Sequence, residues 1–599
     1  MNFDAVDYIV FIGYIVFIVA LGLFVSREKK GHQKDTKDYF LASKALPWWA
    51  VGASIVAANI SAEQVVGMSG SGFAIGLAIA SYEWMAAITL IIVAKYFLPI
   101  FLEKGIYTMP EFLEIRYDKR VRTSLAVFWL LVYVFVNLTS VLYLGALAIQ
   151  TIMMPGKPLW WAVLGLAVFS SLYTIYGGLK AVAWTDVVQV IILVFGGLLT
   201  SFLALNVIGE GHGVVSGLLN IIHALPDKFT MILKPGQIMI PQNGGAARDA
   251  FKDLPGLTVL IGGMWIANLF YWGCNQYITQ RALAAKSIKN AQLGLAFAGY
   301  LKLLMPLLVV IPGIAAYYLV HVRPDLIPAG APTEILKPDK AYPWLLNTFV
   351  PIGLKGLAFA ALIAAIVSSL SSMVNSTATL FSMDIYKQII RKGASEKELV
   401  SVGRIASGIA LVIAIFLAPQ LKSLDQAFQY IQEFTGFFSP GIFSIFLYGL
   451  FWKKTKANAA LWGAILSLPL SAFFKFATPG LPFLDRMGVV FLICTVVVII
   501  LSAPNKNTIK TMGLSFLVGG ALYFLLGPVF ASMTTQLKLY ISIFLAAIVF
   551  YLIFRKGEQV EDAERAIYFD KGLFHTTATF NALAIGISGI LAALYIIFW

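Results

Sequence analysis

The chain has 599 residues, of which 59% are hydrophobic and 12% charged, and its formal net charge is +14. A mean hydropathy of +0.83 is too high for a soluble domain and indicates a polytopic membrane protein. The basic excess does not indicate nucleic-acid binding, because the lysines and arginines lie in short loops between apolar runs, as the positive-inside rule expects. Cys274 and Cys494 both fall in apolar segments, so neither a disulfide framework nor a metal cluster is predicted.

Apolar runs of about 20 residues, the length that a bilayer core requires, recur roughly sixteen times along the chain. The first, from Ile9 to Val25, is long enough to remain in the membrane rather than to be cleaved as a leader. Alternate loops are rich in Lys and Arg: SREKKGHQKDTKDYFLASK, EIRYDKRVR, QRALAAKSIK, RKGASEKE and WKKTKAN. We therefore expect these loops to face the cytoplasm and, with an even number of crossings, both termini to lie outside the cell (inner) membrane.

Two spans carry polar residues in corresponding places. AANISAEQVVG, residues 57–67, lies within the second span, and WIANLFYWGCNQY, residues 265–277, within the seventh. Because the two are five spans apart, residues 47–209 and 255–452 form two five-helix blocks that are inverted relative to each other. Paired broken helices in inverted halves predict a secondary transporter whose site lies at the bilayer midplane. The alternative is two kinked helices whose freed backbone groups are satisfied by neighbouring helices.

The predicted fold is all-α and polytopic, with an inverted five-plus-five helix core, one extra helix before it and about five after it. Its parts are an N-terminal helix with a cytoplasmic loop (1–46), a first repeat (47–209), an outer loop (210–254), a second repeat (255–452) and C-terminal accessory helices (453–599) that include an extra hairpin (511–554). The outer loops are too short for a globular domain, so no catalytic domain is expected.

The ninth span is rich in serine. Its AAIVSSLSSMVNSTAT stretch, residues 364–379, contains Ser368, Ser369, Ser371, Ser372 and Ser376, most of which share one helical face. Where a helix is broken, backbone carbonyls lose their donors and are tolerated in a membrane only beside a cavity or a ligand. Small hard cations prefer such oxygen ligands, although serines in membrane helices also bond their own backbone or pack against a neighbouring helix.

Five long stretches carry a family resemblance. They are DYFLASKALPWWAVGASIVAANISAEQVVGMSGSGFAIGLAIASYEW, YTIYGGLKAVAWTDVVQV, WIANLFYWGCNQYITQRALAAKS, AFAALIAAIVSSLSSMVNSTATLFSMDIYK and QAFQYIQEFTGFFSPG. They resemble the sodium–solute symporter family, most closely its bacterial sodium/galactose (sodium/glucose-type) cotransporters, from about residue 8 to 480 and again at 574–598. The resemblance implies a LeuT-like fold and sodium-coupled import of a neutral hexose, galactose or glucose, with sodium as the co-transported ion.

The resemblance also implies binding residues by position. It implies a sodium site formed by the backbone carbonyls of Ala57, Ile60 and Ala365 with the hydroxyls of Ser368 and Ser369. It places the sugar against Gln64, Glu83, Asn268, Lys302 and Gln432, with Asn59 and Ser61 bracing the broken helix. Tyr271 is the implied inner gate, with Trp272 beside it, and the implied outer lid is Met68, Tyr82 and Phe428.

The implied sugar residues match the chemistry of a pyranose. Its hydroxyls donate and accept hydrogen bonds and its C–H face is apolar, so amides, a carboxylate, an ammonium and an aromatic ring suit it. Glu83 and Lys302 carry opposite charges inside predicted spans, where ionisable side chains are costly and functional by default. The alternative for these two residues is a structural ion pair between two helices.

A second sodium site is a further expectation. Asp186, in WTDVVQ, lies near the start of the sixth span, and a carboxylate in a membrane helix requires a cation or a donor. Ser368, Ser371 and Ser372 are spaced i, i+3 and i+4, so their hydroxyls can converge on one point. The arrangement resembles the extra ion site of family members that move two sodium ions. Alternatively, Asp186 accepts hydrogen bonds from these serines or lines the ion exit path.

Some features depart from the bacterial sugar transporters that the chain resembles. Position 86 is Ala where they have Ser, and position 270 is Phe where they have Tyr, so the sugar epimer stays open, as does a monomeric or dimeric state. Within the family the solute could instead be inositol, sialic acid or proline, although the Glu83 carboxylate argues against an acidic solute. A membrane sensor or enzyme is a further alternative, but the sequence shows neither a signalling domain nor a nucleophile–base pair.

Overall fold

The computed structural model describes residues 3–27, 35–242, 245–335, 337–423, 427–502, 506–529 and 562–599, and residues 538, 541, 542, 545 and 546. The N-terminal region holds helices α1 (Ala5–Val25) and α2 (Thr36–Leu41). The first predicted repeat holds α3 (Trp48–Asn59), α4 (Ser69–Ala74), α5 (Ser81–Ile92), α6 (Leu98–Lys104), α7 (Met109–Arg116), α8 (Lys119–Leu131), α9 (Thr139–Ile152), α10 (Leu159–Gly177) and α11 (Leu179–Ile208).

The remaining elements follow in the same order. The outer loop holds α12 (Gly213–Ala224) and a two-stranded antiparallel hairpin of β1 (Met239–Gln242) and β2 (Gly245–Asp249), with Ile240 opposite Arg248. The second predicted repeat holds α13 (Leu257–Ile261), α14 (Gly263–Cys274), α15 (Gln276–Leu283), α16 (Ile288–His321), α17 (Ala341–Phe349), α18 (Leu354–Leu380), α19 (Glu396–Leu417), α20 (Ala427–Thr435) and α21 (Ser439–Phe451). The accessory helices are α22 (Ala457–Ala477), α23 (Phe483–Ser502), α24 (Lys506–Val529) and α25 (Ala578–Ile597).

Within the described ranges, 11 helices are long and apolar enough to cross a membrane, and two bent helix pairs raise the number to 13. The sequence predicted roughly sixteen spans of bilayer length. The described part of the stretch at 425–452 is not one continuous helix, because the short helices α20 and α21 meet at a turn over residues 436–438. Of the predicted extra hairpin, 511–531 lies mostly in α24, and 536–554 lies mostly outside the described residues.

The first bent span confirms the predicted break at the AANISAEQVVG stretch. Helix α3 ends at Asn59, Ile60 is extended (φ −76°, ψ 101°), and the chain resumes at an angle of 63°. Ser61 begins the second half, because its hydroxyl accepts the backbone N–H of Glu63 at 3.0 Å and donates to the side chain of Gln64 at 3.0 Å. A π-helical segment, Glu63–Met68, follows, and such segments often occur at functional sites.

The second bent span has two interruptions, and one of them lies in the predicted stretch. The sequence placed an interruption within residues 265–277, and the backbone is extended at Asn275, between the helix Gly263–Cys274 and α15. A further bend of 79° lies earlier, at Gly262, outside the predicted stretch. Gly262 adopts φ −123° and ψ −127°, so the backbone is not helical at this bend.

Glycines let the long helix α16 pack closely against both halves of the first bent span. A Cβ at Gly52 of α3 would lie 2.5 Å from the carbonyl oxygen of Gly294, and a Cβ at Gly72 of α4 would lie 2.6 Å from that of Val310. No side chain fits at either contact, and small residues of this kind are what bring membrane helices together. Helix α16 therefore braces the bend on both sides.

The loop at residues 210–254 is hydrogen-bonded to the C-terminal end of α4. Lys228 is buried, and its Nζ donates to the backbone carbonyls of Phe73 and Ala74 at 2.9 and 3.0 Å and lies 3.9 Å from the ring centroid of Tyr317. A cation at the carbonyl end of a helix interacts favourably with its dipole, although burial lowers the pKa of the Lys228 ammonium to about 7. This contact fixes the C-terminal end of the first bent span.

Three arginines that the sequence assigned to basic cytoplasmic loops are buried: Arg116 is 1% exposed, Arg122 5% and Arg281 0%. Arg281 lies in helix α15, whose residues are all buried, and not in a loop. Only the solvent-facing cations of these loops bear on orientation. The placement of the termini stays a prediction.

Candidate functional site: a polar cavity between the bent spans

Most of the residues implied for sugar binding line one cavity. They are Asn59, Gln64, Glu83, Asn268, Tyr271 and Gln432. The residues implied for the outer lid and the inner gate line the same cavity: Met68, Tyr82, Phe428 and Trp272. The structure thus brings together side chains that lie as far apart in the chain as positions 59 and 432.

Lys302 is not among the residues that line the cavity, but it contacts two of them. Its Nζ contacts Oε2 of Glu83 at 2.5 Å and also donates to Oδ1 of Asn59. The side chain of Lys302 is 0% exposed and that of Glu83 4%, and a buried charge pair is tolerated only when further hydrogen bonds complete it. The pair joins α5 to α16, and Glu83 lines the cavity; a role in sugar binding stays a prediction.

The amides of the cavity are partly engaged with their own helices. Asn268 donates to the carbonyl of Met264 at 3.1 Å and accepts from Nε1 of Trp272 at 3.2 Å. Gln64 is held by Ser61, whose backbone N–H also donates to it at 3.2 Å. These contacts fix the direction in which each amide points.

Aromatic pairs close the cavity on two sides. The rings of Tyr82 and Phe428 meet edge to face at 5.3 Å, and Tyr271 meets Trp272 at 5.2 Å. The hydroxyl of Tyr271 accepts from Nδ2 of Asn59 at 2.9 Å and contacts the hydroxyl of Tyr277. The enclosed volume is about 60 Å³, far below the ~300–1,000 Å³ of typical small-molecule pockets. A small-molecule solute of ordinary size therefore requires these rings to move apart.

Three of the residues implied for the first sodium site meet at the first break: Ala57, Ile60 and Ser369. The hydroxyl of Ser369 lies 3.4, 2.9 and 3.2 Å from the carbonyl oxygens of Ala57, Ala58 and Ile60. Ala365 precedes Ser369 by one helical turn and is buried. Ser368 differs from the implied arrangement, because its hydroxyl donates to Asp186 at 2.5 Å.

The residues implied for a second sodium site are neighbours, but their hydroxyls do not all converge. Ser368 donates to Asp186, whereas the hydroxyl of Ser371 lies 2.8 Å from that of Tyr173. Ser372 donates to the carbonyl of Ser368 at 2.7 Å and accepts from Arg281. The i, i+3, i+4 spacing places the three serines on one face of α18. The direction of each hydroxyl depends on its own hydrogen-bond partner, and these partners differ.

Sequence reasoning assigned no role to three residues that the structure places at these sites. Glu63 lines the cavity and accepts from the Ser140 hydroxyl at 2.7 Å, while Ser54 donates to Asp186 at 2.5 Å. Arg281 lies with its Nε 3.7 Å from Oδ2 of Asp186. An ionisable residue in an apolar stretch indicates a functional site, and this signal could have identified Glu63. The sequence gives no such signal for Ser54 or Arg281.

An enclosed polar cavity beside two bent spans is the architecture of a secondary transporter. Residues 39–467 match the model of the sodium:solute symporter family. The chain belongs to that family and is a sodium-coupled solute symporter that works by alternating access, with sodium as the co-transported ion.

Curated relatives cover the whole chain or most of it. The "Sodium/glucose cotransporter" of Vibrio parahaemolyticus is 50% identical over 600 residues, 99% of this chain and 98% of the relative. The "Sodium/myo-inositol cotransporter 2" of Homo sapiens is 35% identical over 78% of this chain and 69% of its own length. The "Sodium/glucose cotransporter 1" of Oryctolagus cuniculus is 34% identical over 77% and 70%.

A solved structure shows the same fold. It is the substrate-bound, outward-open state of a sodium-coupled sialic acid symporter, with a TM-score of 0.71, 24% sequence identity, and coverage of 84% of this chain and 98% of that one. The predicted LeuT-like architecture, with its inverted five-plus-five core, is therefore confirmed. The boundaries of the two repeats, at 47–209 and 255–452, stay predictions.

Proposed function

We propose that this symporter imports a neutral hexose, galactose or glucose, across the cell membrane. The observation that carries the proposal is the cavity itself, where amides, a carboxylate backed by an ammonium, and an aromatic ring face one enclosed space. These are the groups that a pyranose requires. The relative at 50% identity is a sodium/glucose cotransporter, which supports the same solute class.

In this proposal Gln64, Glu83, Asn268 and Gln432 bind the sugar hydroxyls, and Tyr271 stacks on the C–H face. Lys302, Asn59 and Ser61 hold those groups in position through the contacts described above. Tyr82, Phe428 and Met68 form the outer lid, and Tyr271 with Trp272 forms the inner gate. Transport alternates between opening the lid and opening the gate, as in other carriers with a midplane site.

The first sodium ion is proposed to bind at the break in the first bent span. Carbonyl oxygens of Ala57 and Ile60 already face the hydroxyl of Ser369, and oxygen ligands of this kind suit a hard cation. Ala365 and Ser368 complete the proposed set. An ion here would hold α18 against the broken helix, and this is how sodium would favour the sugar-binding state.

A second ion site at Asp186, Ser368, Ser371 and Ser372 is proposed separately. Its support is the buried carboxylate of Asp186, which has one hydroxyl partner from that serine set. If two sodium ions are coupled to each sugar, the ratio of transported charge to sugar should be near two, and this result would support the second site. A ratio near one that Ser371→Ala leaves unchanged would exclude it.

The uptake test described below also covers other solutes of the family. The myo-inositol cotransporters among the relatives favour including inositol, which also presents several hydroxyls. An acidic solute would face the carboxylates of Glu83 and Glu63 in the cavity, and like charges at close range repel. A sensor or an enzyme would need chemistry that the cavity residues do not suggest.

Uptake into proteoliposomes tests the proposal. Radiolabelled galactose, glucose, inositol, proline and sialic acid are offered with and without an inward sodium gradient. We expect gradient-driven accumulation of a hexose, which Glu83→Gln should weaken and Glu103→Gln should not, because Glu103 is an exposed carboxylate away from the cavity. Accumulation of proline or sialic acid but no hexose would overturn the solute assignment.

A further inference from the structure

Arg281 is a fully buried arginine that the proposed transport cycle has not yet used. It lies on α15, the short helix that begins directly after the second backbone break at Asn275. A buried guanidinium is costly unless its N–H donors find acceptors. Its partners therefore indicate what its position contributes.

Those partners belong to two different functional regions. One terminal nitrogen of Arg281 donates to the hydroxyl of Ser372 on α18, and the other donates to the backbone carbonyl of Tyr277 on its own helix. Ser372 belongs to the proposed second ion site. The hydroxyl of Tyr277 contacts that of Tyr271, the proposed inner gate.

The pair of Arg281 with Asp186 is loose. Its nitrogen–oxygen distance is 3.7 Å, longer than a hydrogen bond, whereas the buried pair of Arg122 and Asp384 has a distance of 2.7 Å. The two carboxylate oxygens of Asp186 accept instead from Ser54 and Ser368, each at 2.5 Å. A cation that approached Asp186 would meet a carboxylate without a direct cationic partner, and it would repel the guanidinium.

A short chain of contacts then leads from Arg281 to the sugar cavity. Tyr277 contacts Tyr271, Tyr271 accepts from Asn59 at 2.9 Å, and Asn59 accepts from Lys302. Because Arg281 and Tyr277 are one turn apart on an eight-residue helix, a shift of the guanidinium acts directly on the carbonyl at the start of that helix.

We propose that Arg281 is a positioning residue that couples the ion region to the inner gate. A sodium ion beside Asp186 displaces the guanidinium from Ser372, and the displaced side chain shifts Tyr277 and with it Tyr271. This inference rests on the proposed sodium/hexose symport. In this proposal sodium and sugar both act on helix α15, whose Tyr277 contacts Tyr271, and this helix moves between two positions.

The test measures coupling rather than activity. Binding of radiolabelled sodium and of radiolabelled galactose to the purified full chain is measured alone and with the other ligand saturating. The factor by which sodium raises sugar affinity must equal the factor by which sugar raises sodium affinity. In Arg281→Gln each ligand alone should still bind, but both factors should fall together by about tenfold, and Arg281→Lys should restore part of the loss.

Arg122→Gln is the matched control, because it removes a buried arginine that is paired with an aspartate elsewhere; its coupling factor should equal that of the wild type. A wild-type factor in Arg281→Gln would overturn the proposal. Should that variant not be recovered folded, Tyr277→Phe, which removes only the hydroxyl that contacts Tyr271, decides in the same way. Absence of coupling in the wild type would instead refute the sodium/hexose symport.

Discussion

The sugar cavity and the ion region each contain a buried pair of opposite charges, and the two pairs are built differently. Lys302 contacts Glu83 at 2.5 Å and also donates to Asn59, so the cation has two polar partners. Arg281 lies 3.7 Å from Asp186, whose oxygens are held by serines. The first pair is closed, whereas the second leaves a carboxylate that is only partly compensated.

This difference fits the ligands that are proposed for the two regions. A neutral sugar gains from groups fixed in advance, because an ordered site costs less to complete on binding. A sodium ion binds more favourably to a carboxylate that has no cationic side chain in direct contact, because it need not displace that side chain. Mutations that open the closed pair or alter the ion ligands therefore have different expected consequences.

Lys302→Met is expected to have the largest effect. It leaves Glu83 buried without a cation, at a cost of about 3–5 kcal/mol, so sodium-driven hexose uptake should fall by more than about a hundredfold. The double variant Lys302→Met with Glu83→Gln removes both charges and should lose less than the sum of the single changes. Near-normal uptake by the single variant would show that the pair does not organise the cavity.

Ser369→Ala is expected to weaken sodium binding. It removes an oxygen that faces the carbonyls of the first break, and a hydrogen-bond-scale contact to a charged group is worth ~1.5–3 kcal/mol. The sodium concentration for half-maximal uptake should rise by roughly ten- to hundredfold. The control is Ser376→Ala on the same helix, because Ser376 donates to Gln280 instead. A sodium dependence equal in both variants would place the ion elsewhere.

Gln432→Ala should act on the sugar and not on the ion. It removes one cavity amide and leaves a sugar hydroxyl unmatched, at about 1–3 kcal/mol. We expect a higher KM for the hexose with an unchanged sodium dependence at saturating sugar. Gln429→Ala, on the same helix but outside the cavity lining, is the matched control. Wild-type affinity in Gln432→Ala would remove this residue from the site.

Tyr271→Phe should have the smallest effect of the four. The ring stays, and only the hydroxyl contacts with Asn59 and Tyr277 are lost, at about 0.5–1.5 kcal/mol. Tyr271→Ala removes the platform as well and should be more severe, with faster sugar efflux through the inner side. Counterflow of preloaded sugar measures both variants, and normal exchange in both would mean that another residue closes the inner path.

Much of the fold and of the cavity could be predicted from the sequence. The bend at Asn59 and Ile60 is signalled locally, because Ser61 supplies the cap for the helix that resumes there. The sugar residues were placed by resemblance to a known family, and most of them line one cavity, although Lys302 and Ser61 are not among its lining residues; their roles stay predictions. Such features depend on short stretches of chain or on positions that related proteins share.

The remaining differences depend on tertiary contacts. Nothing local distinguishes Gly262, where the second span bends, from the glycine within the predicted stretch. Arg281 follows Gln280 in a stretch that resembles a basic loop, and only the packing of α15 buries it. The direction of the Ser368 hydroxyl likewise depends on Asp186, which lies 182 positions away in the chain. Residue type and spacing do not contain this information.

The brace formed by α16 has a mechanical consequence. The helix is attached to one half of the first bent span at Gly294 and to the other at Val310, and Pro306 lies between the two attachments. Proline has no N–H to donate to the carbonyl four residues earlier, and that residue is Lys302. Between these two attachments the helix is therefore most easily flexed at the turn that carries the ammonium, so a change in the angle of the bent span displaces that charge relative to Glu83.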